Sequence, residues 1–254
     1  MKQKILKIWI VLLTLCTISN LRAVDIFEEF KNNIQEEYLT PFTKDLTGLV
    51  CGDVVNNADN LELFTPFPPS IGLNIRVYSL IKEIDKENQI LQNAFEGQQI
   101  KYLLFPILQV EKGLPFNIDL VGRFSGYYYK DFIFYGFGLK YKVLSLSILN
   151  FSVGGFYNFL EVKDILKMSS VSYNFVFSVN KIPIVTPYVA LGLDSGELQV
   201  DEKIGVGVMR GKFSDGIRYE LGANLSLLPI FYLNLGYSKV YDTYGYSFGL
   251  GVRF

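Results

Sequence analysis

The chain of 254 residues contains no histidine and only two cysteines. Without histidine, a Ser-His-Asp or Cys-His nucleophile, a histidine general base and a His-rich zinc site are all excluded. The formal net charge is −1, which gives no overall reason to expect nucleic acid as a partner. We expect neither a cofactor nor a metal ion, and we do not predict an enzyme.

The N-terminal apolar run is too short to cross a bilayer as a helix. It covers residues 8–18, follows Lys2, Lys4 and Lys7, and precedes the small residue Ala23, whereas a spanning helix needs about 20 residues. This pattern predicts a secretory signal peptide over residues 1–23. An uncleaved anchor is the first alternative. A lipoprotein signal acylated at Cys16 is the second, although Leu15 is bulky where a small residue is expected.

Cleavage would change both the charge and the cysteine count. It removes four basic residues and no acidic one, leaving 20 basic against 25 acidic residues and a net charge of −5. Cys51 is then the only cysteine, so no intramolecular disulfide can form. We interpret Cys51 as a structural residue, with an intermolecular disulfide as the alternative.

The segment 24–69 differs from the rest of the chain. Residues 25–38 place apolar side chains at helical spacing and predict a short amphipathic helix that ends before Pro41. Residues 44–63 show no clear period, and the proline-rich stretch 65–69 suits neither a helix nor a central strand. We interpret this segment as a periplasmic helix followed by a linker, or as a plug that enters a barrel.

From residue 70 to the end, apolar and polar residues alternate with the period of a β-strand. In the last stretch, for example, Tyr246, Phe248 and Leu250 alternate with Ser247 and Gly249. Alternation of this kind predicts ten strands near 71–78, 101–111, 116–121, 135–141, 149–154, 171–179, 185–193, 217–226, 231–238 and 244–254.

The composition of the two strand faces favours a membrane protein over a soluble periplasmic β protein. A water-facing surface normally carries many Lys and Glu side chains, but the polar positions here are mostly Gly, Ser and Asn. Small polar groups suit a narrow barrel interior, and bulky apolar groups suit lipid. Because backbone in lipid must be fully paired, the strands are expected to close. We predict an all-β, antiparallel up-and-down transmembrane barrel over 70–254, with about ten strands and 8–12 as the range.

The connections between the strands alternate in length, as in transmembrane barrels. Short connections are predicted at 112–115, 142–146, 180–184 and 228–229, and longer, charged ones at 82–100, 161–169 and 194–214. Short turns normally face the periplasm, and an even strand count then leaves both termini there. The predicted location is the bacterial outer membrane.

The C-terminus resembles the assembly signal of bacterial outer-membrane β-barrel proteins, which the barrel assembly machinery recognises. The matching positions are Tyr246, Phe248, Leu250, Val252 and Phe254. In that family the last strand pairs with the assembly protein at its edge. Residues 70–254 are also similar in architecture to small barrels such as the OmpA transmembrane domain, OmpX and OmpW. This resemblance implies outer-membrane lipid and the assembly machinery as partners, and it transfers no functional residue.

A further resemblance concerns three short motifs. Residues 38–41, Pro106 and residues 186–188 are similar to uncharacterised outer-membrane proteins of unknown function.

Several charged residues fall on the face predicted to line the lumen. Because buried charges need partners, we interpret this set as a network of charge pairs that fills the barrel, in preference to a catalytic pair of Asp119 with Glu220. The set is Arg76, Asp119, Arg123, Lys140, Arg218, Glu220 and Arg253.

Two functions remain open from the sequence. The first is a narrow pore or structural barrel with limited solute passage. The second is a non-conducting surface protein whose loops 82–100, 161–169 and 194–214 bind extracellular partners.

Overall fold

The computed structural model describes residues 35–61, 72–93, 101–127, 132–179, 184–201, 209–226, 228 and 230–254. The signal peptide predicted at 1–23 and most of the helix predicted at 25–38 lie outside these residues. The described elements are α1 (Glu36–Cys51), β1 (Leu73–Glu83), α2 (Gln89–Asn93), β2 (Tyr102–Leu114), β3 (Ile118–Tyr127), β4 (Phe132–Leu146), β5 (Leu149–Val162), β6 (Leu166–Val179), β7 (Val185–Val200), β8 (Arg210–Ser226), β9 (Phe231–Val240) and β10 (Thr243–Arg253).

The ten strands form one closed antiparallel barrel. Each strand pairs with its neighbours in sequence, and β1 pairs with β10 to complete the ring. At this seam the N–H of Leu73 donates to the carbonyl of Phe254 at 3.1 Å, and the N–H of Phe254 donates to the carbonyl of Leu73 at 2.8 Å. The prediction of an up-and-down barrel with ten strands is confirmed.

Apolar side chains face outward, and smaller or polar ones face the lumen. On β10, Tyr244, Tyr246 and Phe248 are each about half exposed, at 46%, 49% and 47%. The alternating residues Gly245 and Ser247 are buried. The barrel therefore presents an apolar outer belt, as the composition of the two strand faces predicts.

The two ends of the barrel differ. One end carries the short turns 115–117 and 147–148, and we call it the turn end. Strand β1 begins at this end and β10 finishes there. We call the opposite end the loop end; it carries the connection 84–101 and the turns 163–165 and 241–242.

The prediction of long connections at 161–169 and 194–214 is wrong, because most of these residues belong to strands. Glu161 pairs with Lys167, and Glu197 with Lys212, across strands that extend past the apolar belt. Alternation continues there, with charged residues outward and Leu166 buried in the lumen. In the sequence, a strand with charged residues on its outer face therefore looks the same as a charged loop.

The prediction that the helix ends before Pro41 is also wrong. Helix α1 starts at Glu36, contains Pro41 and continues to Cys51. Proline inside a helix removes one backbone hydrogen bond and costs about 3 kcal/mol or more. The burial of Leu39 and Phe42, at 0% and 1% exposure, offsets this cost because both side chains belong to the apolar core of the barrel.

The chain from residue 36 to residue 61, which we call the lumen segment, passes through the whole barrel. At the loop end, Lys44 Nζ lies 2.7 Å from Asp85 Oδ2 and 2.5 Å from Asp242 Oδ2. At the turn end, the N–H of Leu61 donates to Asp119 Oδ1 at 3.0 Å. Gln35 is therefore at the opposite end of the barrel from Phe254. The position of the mature N-terminus, predicted to be periplasmic, lies outside the described residues.

The interior changes character along the barrel axis. The half near the loop end is an apolar core in which α1 packs against Phe105, Phe134 and Leu166, and the rings of Phe105 and Phe134 meet edge to face at 5.2 Å. The half near the turn end combines a smaller apolar cluster, which includes Val55, Phe156 and Val176, with polar groups. It contains the charged groups described below.

Candidate functional site

The fully buried Arg76 on β1 holds the middle of the lumen segment. Its Nη1 donates to Asp53 Oδ2 at 3.0 Å, and its Nη2 donates to the carbonyl of Asp53 at 2.5 Å. The ring of Tyr78 lies 3.9 Å from the guanidinium carbon. Arg76 of the barrel wall thus binds both the side-chain carboxylate and the backbone carbonyl of Asp53.

Asp53 also contacts the opposite wall. Its N–H donates to Glu220 Oε1 at 2.8 Å, and the hydroxyl of Tyr188 donates to its Oδ1 at 3.1 Å. Glu220 pairs in turn with Arg218, whose Nε lies 2.9 Å from Asp194 Oδ2. Strands β1, β7 and β8 therefore join in one charged network through the lumen segment.

Arg123 on β3 caps the C-terminal end of α1. Its Nη1 donates to the carbonyl of Val50 at 2.6 Å, and its Nη2 donates to the carbonyl of Gly52 at 3.1 Å. The last carbonyls of a helix lack intrahelical partners and carry partial negative charge, so a cation there is stabilising. An arginine of the wall performs the capping here, since the backbone of Gly52 is extended.

Lysines of β4 bind the segment near the turn end. Lys140 Nζ lies 2.7 Å from Asp119 Oδ2 and also donates to the carbonyl of Asp59 at 2.7 Å. Lys142 Nζ lies 3.0 Å from Asp59 Oδ1. Asp59 is thus bound through both its backbone and its side chain.

At the loop end, the buried Asp45 of α1 organises the connection after β1. Lys82 Nζ donates to Asp45 Oδ1 at 2.5 Å, and Asn88 Nδ2 donates to Oδ2 at 2.7 Å. The N–H of Asp85 donates to the same Oδ2 at 3.1 Å. Residues 84–93 are consequently folded against α1, and Ile90 and Leu91 are buried in the core.

Cys51, at the end of α1, is fully buried. Its Sγ donates to Ser170 Oγ at 3.4 Å. A thiol enclosed in this way is shielded from solvent, in keeping with the structural interpretation of Cys51.

The structure places six of the seven predicted lumen charges in buried, inward positions. Lys140 pairs with Asp119, and Arg218 pairs with Glu220. Arg76 and Arg123 bind the lumen segment instead of a wall residue of the predicted set. Arg253 is only half-buried, and its guanidinium carbon lies 5.4 Å from the ring centre of Tyr232. The inward set is Arg76, Asp119, Arg123, Lys140, Arg218 and Glu220.

Sequence reasoning missed several charged residues of the network. Lys82 and Asp194 occupy inward positions on β1 and β7, and the alternation of these strands includes both residues. Following the two-residue period further along the sequence would therefore have found them. Asp45, Asp53 and Asp59 lie in a segment without a clear period and could not be found in this way.

The residues of the predicted assembly signal share the outer face of the barrel. Phe248 is half exposed, and Phe254 follows the end of β10 at the turn end. Strand β10 is hydrogen-bonded to β9 on one side and to β1 on the other. The folded barrel thus leaves no free edge at β10. The positions are Tyr246, Phe248, Leu250, Val252 and Phe254.

One small cavity lies inside the barrel among the described residues. This cavity, beside Asp53, Tyr188 and Glu220, has a volume of about 10 Å³, which is roughly the space of one water molecule. Across the described ranges, no cluster of three or more Cys, Asp or Glu side chains is placed to hold a metal ion. No helix among those same residues is long and apolar enough to cross a membrane.

Comparison with known proteins identifies one family and several barrels. The model of a family of unknown function, DUF6588, matches residues 55–254. None of the curated proteins matches this chain.

Three solved structures illustrate the similarity in architecture. The COG4313 outer membrane channel from Pseudomonas putida F1 has 10% identity and a TM-score of 0.46, over 80% of this chain and 98% of that one. The KdgM porin has 9% identity and a TM-score of 0.40, over 71% and 99%. Ail, the attachment invasion locus protein of Yersinia pestis, has 15% identity and a TM-score of 0.32, over 72% and 97%. Such likenesses transfer no residue role to this chain.

Proposed function

We infer that this chain, which belongs to the family of unknown function DUF6588, works as an integral β-barrel of the bacterial outer membrane whose lumen is closed by its own N-terminal segment. In this role it is a structural or surface barrel that does not conduct solutes in its resting state. Outer-membrane lipid and the barrel assembly machinery are its proposed partners.

The outer belt supports the membrane location. On β10 the outward residues run from Tyr244 to Phe254, which at a strand tilt typical of such barrels corresponds to a belt about 25 Å tall. Exposed tyrosines, among them Tyr219, Tyr237 and Tyr244, lie toward the loop end of this belt. Aromatic side chains of this kind suit the interface between lipid and water.

The passage of the lumen segment through the barrel is the observation that supports a closed state. An aqueous channel would require its ion pairs with Arg76, Lys82 and Lys142 to break together. It would also expose to water the apolar side chains that α1 buries against the wall, among them Leu39 and Phe42, and fully burying one such side chain is worth about 1.5–3 kcal/mol. The closed form is therefore strongly favoured over a form with an empty lumen.

Reconstitution into planar bilayers tests this function. Protein that resists carbonate extraction and shows heat-modifiable electrophoretic mobility is expected to insert without producing channels. Steady openings at low voltage from such correctly folded protein would contradict the closed state. Extraction by carbonate without detergent would contradict the membrane location itself.

A pore that opens when the lumen segment moves is the second candidate. The wall directs Arg76, Lys82, Arg123 and Lys140 at this segment. An emptied lumen would thus attract anions. We expect the double variant Asp45→Asn/Asp53→Asn to show anion-selective openings if this candidate is correct, and wild-type-like silence if the barrel is purely structural.

A further inference from the structure

The direction in which α1 enters the barrel has a consequence for the rest of the chain. In an up-and-down barrel with an even number of strands, the first and last strands begin and end at the same side. That holds here for β1 and β10, which meet at the turn end. The residues before β1 do not stay on that side, because the lumen segment carries the chain to the other end.

Contacts with three different parts of the loop end fix the start of α1 there. Lys44 bridges Asp85, just after β1, and Asp242, in the turn between β9 and β10. A Cβ added to Gly211, at the start of β8, would press on Leu39 and Thr43 of α1. The described residues before these, Gln35 to Glu37, are exposed.

The other end of the segment is fixed equally well. Asp59 binds Lys142, and the N–H of Leu61 binds Asp119, both close to the short turns of the turn end. The chain therefore runs from the loop end to the turn end before it enters β1. Its direction is settled by contacts at both ends.

The start of α1, at the loop end of a membrane-embedded barrel, is separated from the turn end. The lumen is filled by the segment itself, and a return through lipid would leave backbone N–H and C=O groups without partners. We propose that the barrel displays the start of α1, from Gln35 to Glu37, on the cell surface, on the side of the membrane opposite to its C-terminus. This inference rests on the proposed membrane location, and it adds a surface element made by the chain itself.

Labelling of single cysteines with a membrane-impermeant maleimide on intact cells tests the proposal. In a parent with Cys16 and Cys51 replaced by serine, Glu36→Cys reports on the start of α1. Lys86→Cys, in the loop-end connection, and Leu228→Cys, at the turn end, are matched controls because both positions are exposed. Heat-modifiable mobility establishes that each variant is folded.

We expect Glu36→Cys and Lys86→Cys to label equally well in intact and in lysed cells, and Leu228→Cys to label only after lysis. If Glu36→Cys behaves like Leu228→Cys and labels only after lysis, while Lys86→Cys labels in intact cells, the proposal is overturned. If Lys86→Cys and Leu228→Cys exchange their behaviour, the barrel has the opposite orientation and surface display is wrong. Equal labelling of all three in intact cells that exclude the reagent would place the whole protein outside the membrane and contradict the proposed function instead.

Discussion

The guanidinium of Arg76, on the first strand, binds the side-chain carboxylate and the backbone carbonyl of Asp53 in the middle of the lumen segment. The Arg76 Nη1 to Asp53 Oδ2 distance is 3.0 Å, and the two side chains are 0% and 4% exposed. A wall charge and a segment charge thus neutralise each other in the buried interior of the barrel. The same ion pair therefore holds the lumen segment in place and contributes to the stability of the folded barrel.

Replacement of Asp53 by asparagine should therefore destabilise the folded barrel. The substitution keeps the shape of the side chain but leaves Arg76 buried without its counter-charge, for which we expect a loss of about 3–5 kcal/mol in the free energy of unfolding. Urea titration in detergent micelles, followed by heat-modifiable mobility, measures it. Asp242→Asn is the control, because that carboxylate is 76% exposed and should change stability little. Equal stability of Asp53→Asn and wild type would show that the pair does not hold the segment.

The Lys44 contact with Asp85 predicts a pH dependence at the loop end. Burial alone would raise the pKa of Asp85, but the hydrogen bond and charge of Lys44 outweigh it and lower this pKa. Burial alone would lower the pKa of Lys44, whereas its bonds to Asp242 and Asp85 raise it. The Asp85 contribution to stability is therefore present above its ordinary pKa of about 3.9 and lost as the pH falls through the lowered value. The Lys44 contribution is present below about 10.4 and lost as the pH rises through the raised value.

Asp85→Asn should consequently differ in stability from wild type at neutral pH and converge with it under strongly acidic conditions. The free energy of unfolding of both proteins, measured across the acid range, shows this. A difference that stays constant down to the lowest pH would mean that the carboxylate charge makes no contribution.

The inner wall of β4 should not tolerate a methyl group at Gly138. A Cβ at this position would collide with the ring of Phe156 and with the carbonyl of Gly155. Overpacking of this kind costs about 1–3 kcal/mol, so we expect Gly138→Ala to lower the urea midpoint. Gly122→Ala is the matched control, since the nearest atom to its added Cβ is the Val110 carbonyl oxygen at 4.0 Å. Equal effects of the two substitutions would contradict this account of the packing.

A charge in the middle of the outer belt should destabilise the barrel in lipid. Leu221 is 58% exposed and lies at the centre of the apolar stretch of β8. Leu221→Arg is expected to cost about 2–4 kcal/mol, as for arginine at the bilayer midplane. Ser169→Arg, on the outer face at the loop-end edge of the belt between Phe159 and Glu197, should be nearly neutral, because the penalty falls to about 0–1 kcal/mol near the interfaces. Unfolding in lipid vesicles measures both, and a neutral Leu221→Arg would argue against a membrane-facing belt.

The barrel could be predicted from the sequence because each strand repeats the same two-residue period. Tyr246, Phe248 and Leu250 indicate lipid on one side, while Ser247 and Gly249 indicate a crowded lumen on the other. Arg76 and Arg218 could be placed inside by the same alternation. The period fails for α1, since a helix enclosed by a barrel is buried on all sides. Thr43, Asp45, Leu49 and Val50 are all buried, so no single apolar stripe exists.

The extension of the strands past the belt could not be predicted for a different reason. Glu161 and Lys167 sit on the outer face where the surroundings change from lipid to water. Their polarity reflects that change and carries no information about whether the backbone is a strand or a loop. Only the buried partners on the other face, such as Leu166 and Leu198, distinguish the two cases.

The attachment of the lumen segment to β1 determines how it could ever leave. Leu61 and the start of β1 are at the turn end, so the segment is tethered there and cannot be drawn out at the loop end without breaking the wall. The lumen segment could leave the barrel only toward the turn end, and Glu36 would then have to pass through the lumen. A folded domain fused ahead of Glu36 would be too wide to pass through the barrel and would hold the lumen segment in place.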